Sequence, residues 1–140
     1  MITVQWTGDG GSFAAEVPTG AKFYLDTHPD YGGKKLGPTP VEALLSSIAA
    51  CSAIDVLDIL KKKRQVVTSY RVEVDGDRPP PGKYPRSFSV IRVKHIIKGE
   101  NLDPIAVARA VELSDTKYCT VITTLRAAPT VTSTWQIEES

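Results

Sequence analysis

Two side chains in this sequence are equipped for redox chemistry, Cys51 and Cys119, 68 positions apart. A thiolate attacks a peroxide oxygen, and a second thiol within reach captures the resulting sulfenic acid as a disulfide. The two settings differ. Cys51 lies in an uncharged run, Leu44-Leu45-Ser46-Ser47-Ile48-Ala49-Ala50-Cys51-Ser52-Ala53-Ile54. Burial there raises a thiol pKa, so reactivity needs a positive charge or a hydrogen-bond donor from another segment or a second subunit. Cys119 lies in Ser114-Asp115-Thr116-Lys117-Tyr118-Cys119-Thr120-Val121, near a helix start whose dipole favours a thiolate. A bridge requires the two α-carbons to approach to about 4.4–6.8 Å. From the residues alone two readings stay open: a thiol/disulfide pair, or two small side chains filling tight helix contacts.

Other chemistries find less support. There is no CxxC, and His28 (loop) and His95 (strand) show no ligand spacing, so neither a metal nor a cofactor is expected. Gly32-Gly33-Lys34-Lys35-Leu36-Gly37 resembles a phosphate loop superficially but lacks the G-x-x-x-x-G-K-[ST] order. The 17 basic and 16 acidic residues nearly cancel, which argues against a nucleic-acid or anionic-membrane partner. Met1-Ile2-Thr3-Val4-Gln5-Trp6 lacks the basic and apolar regions of a signal peptide. The uncharged stretch 43–54 is shorter than the roughly 20 residues of a transmembrane helix. The expectation is a cytoplasmic protein whose thiols stay reduced unless they are catalytic or sensing.

The elements that position the cysteines are legible from turn and cap signals. Gly8-Asp9-Gly10-Gly11 predicts a hairpin between strands 2–6 and 12–17, with a third strand at 22–26. Thr39 as N-cap, Pro40 at N1 and Glu42 at N3 predict a capping box opening a helix that runs to about Arg64. Its first half, 41–54, is apolar or small almost all round and is expected to be buried. Further on, Ile54, Leu57 and Leu60 continue a stripe while Asp55, Asp58 and 61–64 face water. The basic cluster Lys61-Lys62-Lys63-Arg64 suits the negative end of the helix dipole better than an anion site. Strands follow at 70–74 and 87–97, separated by a proline-rich turn. Asp103 and Pro104 open a second helix to about Ser114, a short helix follows Cys119 through Arg126, and 130–138 is expected to close the fold as a strand. This is one α+β domain over residues 1–140.

Gly37-Pro38-Thr39-Pro40-Val41-Glu42-Ala43-Leu44-Leu45, the run from Ala49 through Cys51 to Val56, and Tyr118-Cys119-Thr120-Val121 together resemble the OsmC/Ohr superfamily of osmotically inducible and organic hydroperoxide resistance proteins. The likeness extends in order over nearly the whole chain. It implies an OsmC-like fold, with antiparallel sheets around a long central helix, in an intertwined homodimer with active sites at the dimer interface. It also implies thiol-dependent reduction of organic hydroperoxides, with Cys51 as the peroxidatic and Cys119 as the resolving cysteine, and an external dithiol as reductant.

Two departures accompany the resemblance. Peroxidases of the family activate the thiolate with an arginine from the N-terminal region, whereas no arginine precedes Arg64 in this chain. They hold that arginine with a glutamate after the helix-opening proline, a position occupied here by Val41, and the capping role accounts for Glu42. Arg78, Arg86 and Arg126 are candidate substitutes, and Arg86 is the preferred thiolate-activating residue. The competing function is a catalytically weak binding or redox-sensing protein that holds an apolar ligand at the dimer interface.

Overall fold

The computed structural model describes residues 1–138 and has an α+β architecture with antiparallel sheets. The chain folds as two compact units. One comprises 1–50 with 72–96; the other comprises 51–71 with 97 onward.

In the first unit, β1 (Thr3–Trp6), β2 (Phe13–Glu16) and β3 (Lys22–Leu25) form an antiparallel sheet in chain order. Trp6 pairs with Phe13, and Phe13 with Leu25, so β2 is central. The hairpin at Gly8-Asp9-Gly10-Gly11 is present, and Gly8 and Gly10 carry the positive φ angles that L side chains resist. Register places Val4, Trp6, Phe13, Ala15 and Phe23 on one face of this sheet. Of these only Ala15 is buried; the aromatic residues are 39–55% exposed.

After β3, Asp26 turns inward and its carboxylate accepts the backbone N–H groups of Thr27, Lys34 and Leu36, at 2.8, 2.9 and 3.3 Å. The glycine–lysine loop that resembled a phosphate site therefore spends its N–H groups on an anion of the chain's own.

Helix α1 (Pro40–Lys62) begins with the expected capping box. Glu42 N–H donates to Thr39 Oγ1 at 3.2 Å, and Thr39 N–H donates to Glu42 Oε1 at 2.9 Å. It ends two residues before the expected Arg64 because the chain turns left-handed there. Arg64 has φ 57°, its N–H donates to the Lys61 carbonyl, and Gln65 N–H donates to the Leu60 carbonyl. This is a Schellman termination without its usual glycine.

Two expectations about α1 need correction. Residues 41–54 are not buried all round: Leu44 and Ile54 are 37% and 68% exposed. The buried line is instead Ile48, Ser52, Val56 and Leu60, four residues apart each time, and Leu57 lies outside it. Apolar composition in one chain thus overstates how much of the helix that chain alone can cover. By length and mean hydropathy (1.8) α1 also satisfies the dimensions of a membrane span. Its C-terminal half is packed in the second unit, where Val56 and Leu60 are buried against Ala110.

β4 (Val66–Asp77) and β5 (Val90–Glu100) pair with each other, and β4 is longer than the expected 70–74, its alternation running on unbroken from Tyr70 to Asp77. β5 starts later than residue 87, at Val90, which is exposed. In the second unit α2 (Pro104–Leu113) starts on Asp103, whose Oδ1 accepts from Ile105 N–H at 2.9 Å. Its Ala110 packs on Val56 and Leu60, flanked by Ile59, Val67, Tyr70, Ile97, Val107 and Val111. One wide helical turn, Ser114–Tyr118, then leads into α3 (Thr120–Ala127). The strand expected at 130–138 is not formed: 128–138 has no regular structure and is exposed, since a strand needs a neighbour to accept its hydrogen bonds and none is supplied within the described chain.

Candidate redox site at the cysteine helix

The second unit brings Cys51 and Cys119 together. Cys51 lies on α1, partly exposed, one turn before Asp55 on the same face of the helix. Cys119 is fully buried and serves as N-cap of α3, where its Sγ accepts the Ile122 N–H at 3.5 Å. The two sulfurs and an Asp55 carboxylate oxygen lie within 4.8 Å of one another.

The hydroxyls behind them are ordered by burial. Ser52 and Ser114 are 1% and 0% exposed, and their Oγ atoms are 3.2 Å apart. Ser114 Oγ also lies within donating distance of the Ser52 carbonyl, at 3.3 Å, and of Asp55 Oδ2, at 3.2 Å. Asp55, expected to face water, is thus half-buried and tethered beside both thiols.

Electrostatics at Cys119 run against the helix-start expectation. Burial pushes its thiol up from the ordinary range, and the hydrogen bond and charge of Cys51 push the same way. The N–H groups of Ile122 and Val121 pull in the opposite direction without prevailing. A half-turn further along α1, a hollow of about 400 Å³ is lined by Asp55, Asp58, Ile59, Lys62, Lys63, Leu113 and Tyr118. Lys62 is held on Asp58, one turn earlier on the same helix, at 2.9 Å.

The three candidate arginines are placed as follows. Arg126, in the unit of the thiols, is committed to Asp115, with Nη1 on the carbonyl at 2.7 Å and Nη2 on Oδ2 at 3.0 Å. Arg86 belongs to the first unit, where its Nε donates to the Pro79 carbonyl at 2.9 Å. Arg78, in the same unit, stacks 5.2 Å over the Phe88 ring. Glu42 performs the capping role expected of it, and the Thr39 N–H holds its carboxyl below the usual range.

Sequence reasoning missed Asp55 and Ser114. The signal for Asp55 was its four-residue spacing from Cys51, which puts both on one helix face. Ser114 carried no such signal, because its direction depends on the wide turn that follows it.

Residues 32–134 match the family model described as OsmC-like protein. The chain is 37% identical over 134 residues to protein YhfA of Escherichia coli K12, covering 96% of this chain and 95% of that one. Among solved structures it is similar to a hypothetical protein from Aquifex aeolicus (31% identity, TM-score 0.72, 91% and 87% of the two chains). It shares its fold with an organic hydroperoxide resistance protein OsmC from Legionella pneumophila (13% identity, TM-score 0.63, 90% and 88%). Together with the antiparallel sheets and the cysteine-bearing helix, these matches show that the chain belongs to the OsmC-like protein family.

Proposed function

We propose that the protein is a thiol-dependent peroxidase of organic hydroperoxides, with Cys51 as attacking and Cys119 as resolving thiol. The observation that carries this is the convergence of the two sulfurs within one three-atom cluster of 4.8 Å. Cys51 is the partly exposed member and so the one a peroxide can reach; Cys119 sits fully buried behind it.

The Cys51 thiolate attacks a peroxide oxygen, the O–O bond breaks, and the alkoxide leaves as an alcohol after taking a proton. Cys51 becomes a sulfenic acid. The Cys119 sulfur then displaces its oxygen, forming the disulfide and releasing water with the Cys119 proton. An external dithiol, available in the cytoplasm, reduces the disulfide and is itself oxidised.

A homodimer is part of the same proposal. The apolar face of the N-terminal sheet and the Ile54–Leu57 side of α1 are left uncovered by the chain itself. A second copy of the chain burying these surfaces accounts for both.

A second reading, a slow or redox-sensing member of the family, is favoured by one observation: a carboxylate, Asp55, stands beside the thiols where an activating cation would be expected. One experiment separates the two. Reduced protein is mixed with one equivalent of cumene hydroperoxide and free thiols are titrated over time. Loss of two thiols per chain within seconds, absent in Cys51→Ser, is expected for the peroxidase. Persistent thiols, or equal reaction with hydrogen peroxide, would eliminate the organic hydroperoxide assignment.

A further inference from the structure

We propose that Cys51, Asp55 and Cys119 form a binding site for a thiophilic divalent cation of the zinc class, with a fourth coordination position open to solvent. The donors are two sulfurs and one carboxylate oxygen, all within 4.8 Å of one another. Bond lengths of about 2.3 Å to sulfur and about 2.0–2.2 Å to oxygen set tetrahedral donors roughly 3.4–3.8 Å apart. Side-chain adjustments of about an ångström would close the cluster on an ion.

The donor set has the support that ligands need. Ser114, fully buried, places its hydroxyl 3.2 Å from Asp55 Oδ2, and Ile122 N–H donates to Cys119 Sγ. Hydrogen bonds of this kind orient ligands and preserve site geometry. Cys51 and Asp55 are rigidly spaced by one turn of α1.

Charge points the same way. Once deprotonated on the ion, the two thiols and the carboxylate place three negative charges around it. Three cations of this unit are held elsewhere: Arg126 on Asp115, Arg109 on Glu112 and Lys62 on Asp58. A divalent ion supplies the balancing charge. Two sulfur donors with a single carboxylate select zinc or cadmium over magnesium or calcium, which require mostly oxygen ligands. Binding displaces two thiol protons to solvent and moves no electrons, leaving the ion and its three ligands at a net charge of −1. Entry is from the partly exposed Cys51 and Asp55, with Cys119 at the back. This site does not depend on the peroxide reaction; it uses the same thiols in a redox-neutral way.

The test is titration of the fully reduced protein with Co2+ under anaerobic conditions. We expect a thiolate-to-cobalt charge-transfer band in the near ultraviolet and intense visible bands, saturating at one ion per chain. One equivalent of Zn2+ removes them and millimolar Mg2+ does not. Cys51→Ser and Cys119→Ser each weaken binding at least a hundredfold, and Asp55→Asn at least tenfold. Absence of the charge-transfer band at one equivalent overturns the site, as does Asp55→Asn binding with unchanged affinity. If a cysteine variant does not fold, the wild type decides by thiol alkylation. One equivalent of Zn2+ should slow loss of both thiols at least tenfold, and equal rates with and without it overturn the proposal.

Discussion

Replacing Leu60 by alanine tests whether the second unit is held by the core described above. Leu60 is 0% exposed and packs with Val56 and Ala110. The substitution removes three buried carbons, which at about 0.8 kcal/mol each costs about 2.4 kcal/mol of transfer free energy. Leu60 sits within a helix flanked by a second helix and strands, so the surroundings can collapse only partly. The residual cavity brings the cost to about 3–4 kcal/mol, inside the usual range for Leu→Ala. For 140 residues, an unfolding entropy of about 2.1 cal/mol/K per residue converts this into a fall in Tm of about 10–14 °C. Leu57→Ala on the same helix is the comparison, because Leu57 is 44% exposed. In an isolated chain its half-burial limits the loss to about 1 kcal/mol, or about 3–4 °C. Pairing of two chains through this side of α1 would raise that loss and make it depend on protein concentration. Thermal melts by circular dichroism at two concentrations, with sedimentation at each, read both effects. Leu60→Ala melting within about 4 °C of wild type would refute the core assignment, and a concentration-independent Leu57→Ala loss as large as that of Leu60→Ala would refute the division of α1 into covered and uncovered sides.

Two further outcomes follow from the termini and loops. Arg64→Gly should stabilise the protein by about 0.5–1 kcal/mol, raising Tm by about 2–3 °C, because glycine relieves the left-handed conformation at the end of α1; a lower Tm would show that the arginine contributes more than its backbone costs. Asp26 is held below the usual carboxylate range, first by the Lys34 N–H and also by those of Leu36 and Thr27. Its contribution to stability is therefore full above the ordinary carboxylate pKa and is lost as pH falls through the lowered value in the folded protein. Asp26→Asn should melt lower than wild type at pH 7, with the gap narrowing below about pH 4; a gap that stays constant down to pH 2 would contradict the role given to this carboxylate.

Local signals carried over into structure wherever the physics was local. The Thr39–Pro40–Glu42 cap, the Gly8–Gly11 hairpin and the Asp103–Pro104 helix start each depend on residues within a few positions, and each is present. Residues 130–138 have equally good strand chemistry, but a strand exists only if a distant segment accepts its hydrogen bonds. The burial of 41–54 failed for a related reason: composition states what a helix would bury, not whether one chain has enough surface to cover it. At the site, the cysteines were visible as residue types, and their meeting entered through family resemblance rather than spacing. Asp55 was read as solvent-facing because charge in a helix usually is, whereas a buried serine from another helix provides its partner.

The wide turn at Ser114–Tyr118 acts as a phase shifter between α2 and α3. In a continuous α-helix, side chains five positions apart diverge by about 140° at roughly 100° per residue, so Ser114 and Cys119 could not both point inward. Here Cys119 N–H donates to the Ser114 carbonyl at 2.8 Å, stacking the two residues along one line, and both are completely buried. The interval between that hydroxyl and that thiol is therefore a fixed gauge. Losing or gaining one residue within it would swing Cys119 out of alignment with α1 while leaving every residue type at the site intact.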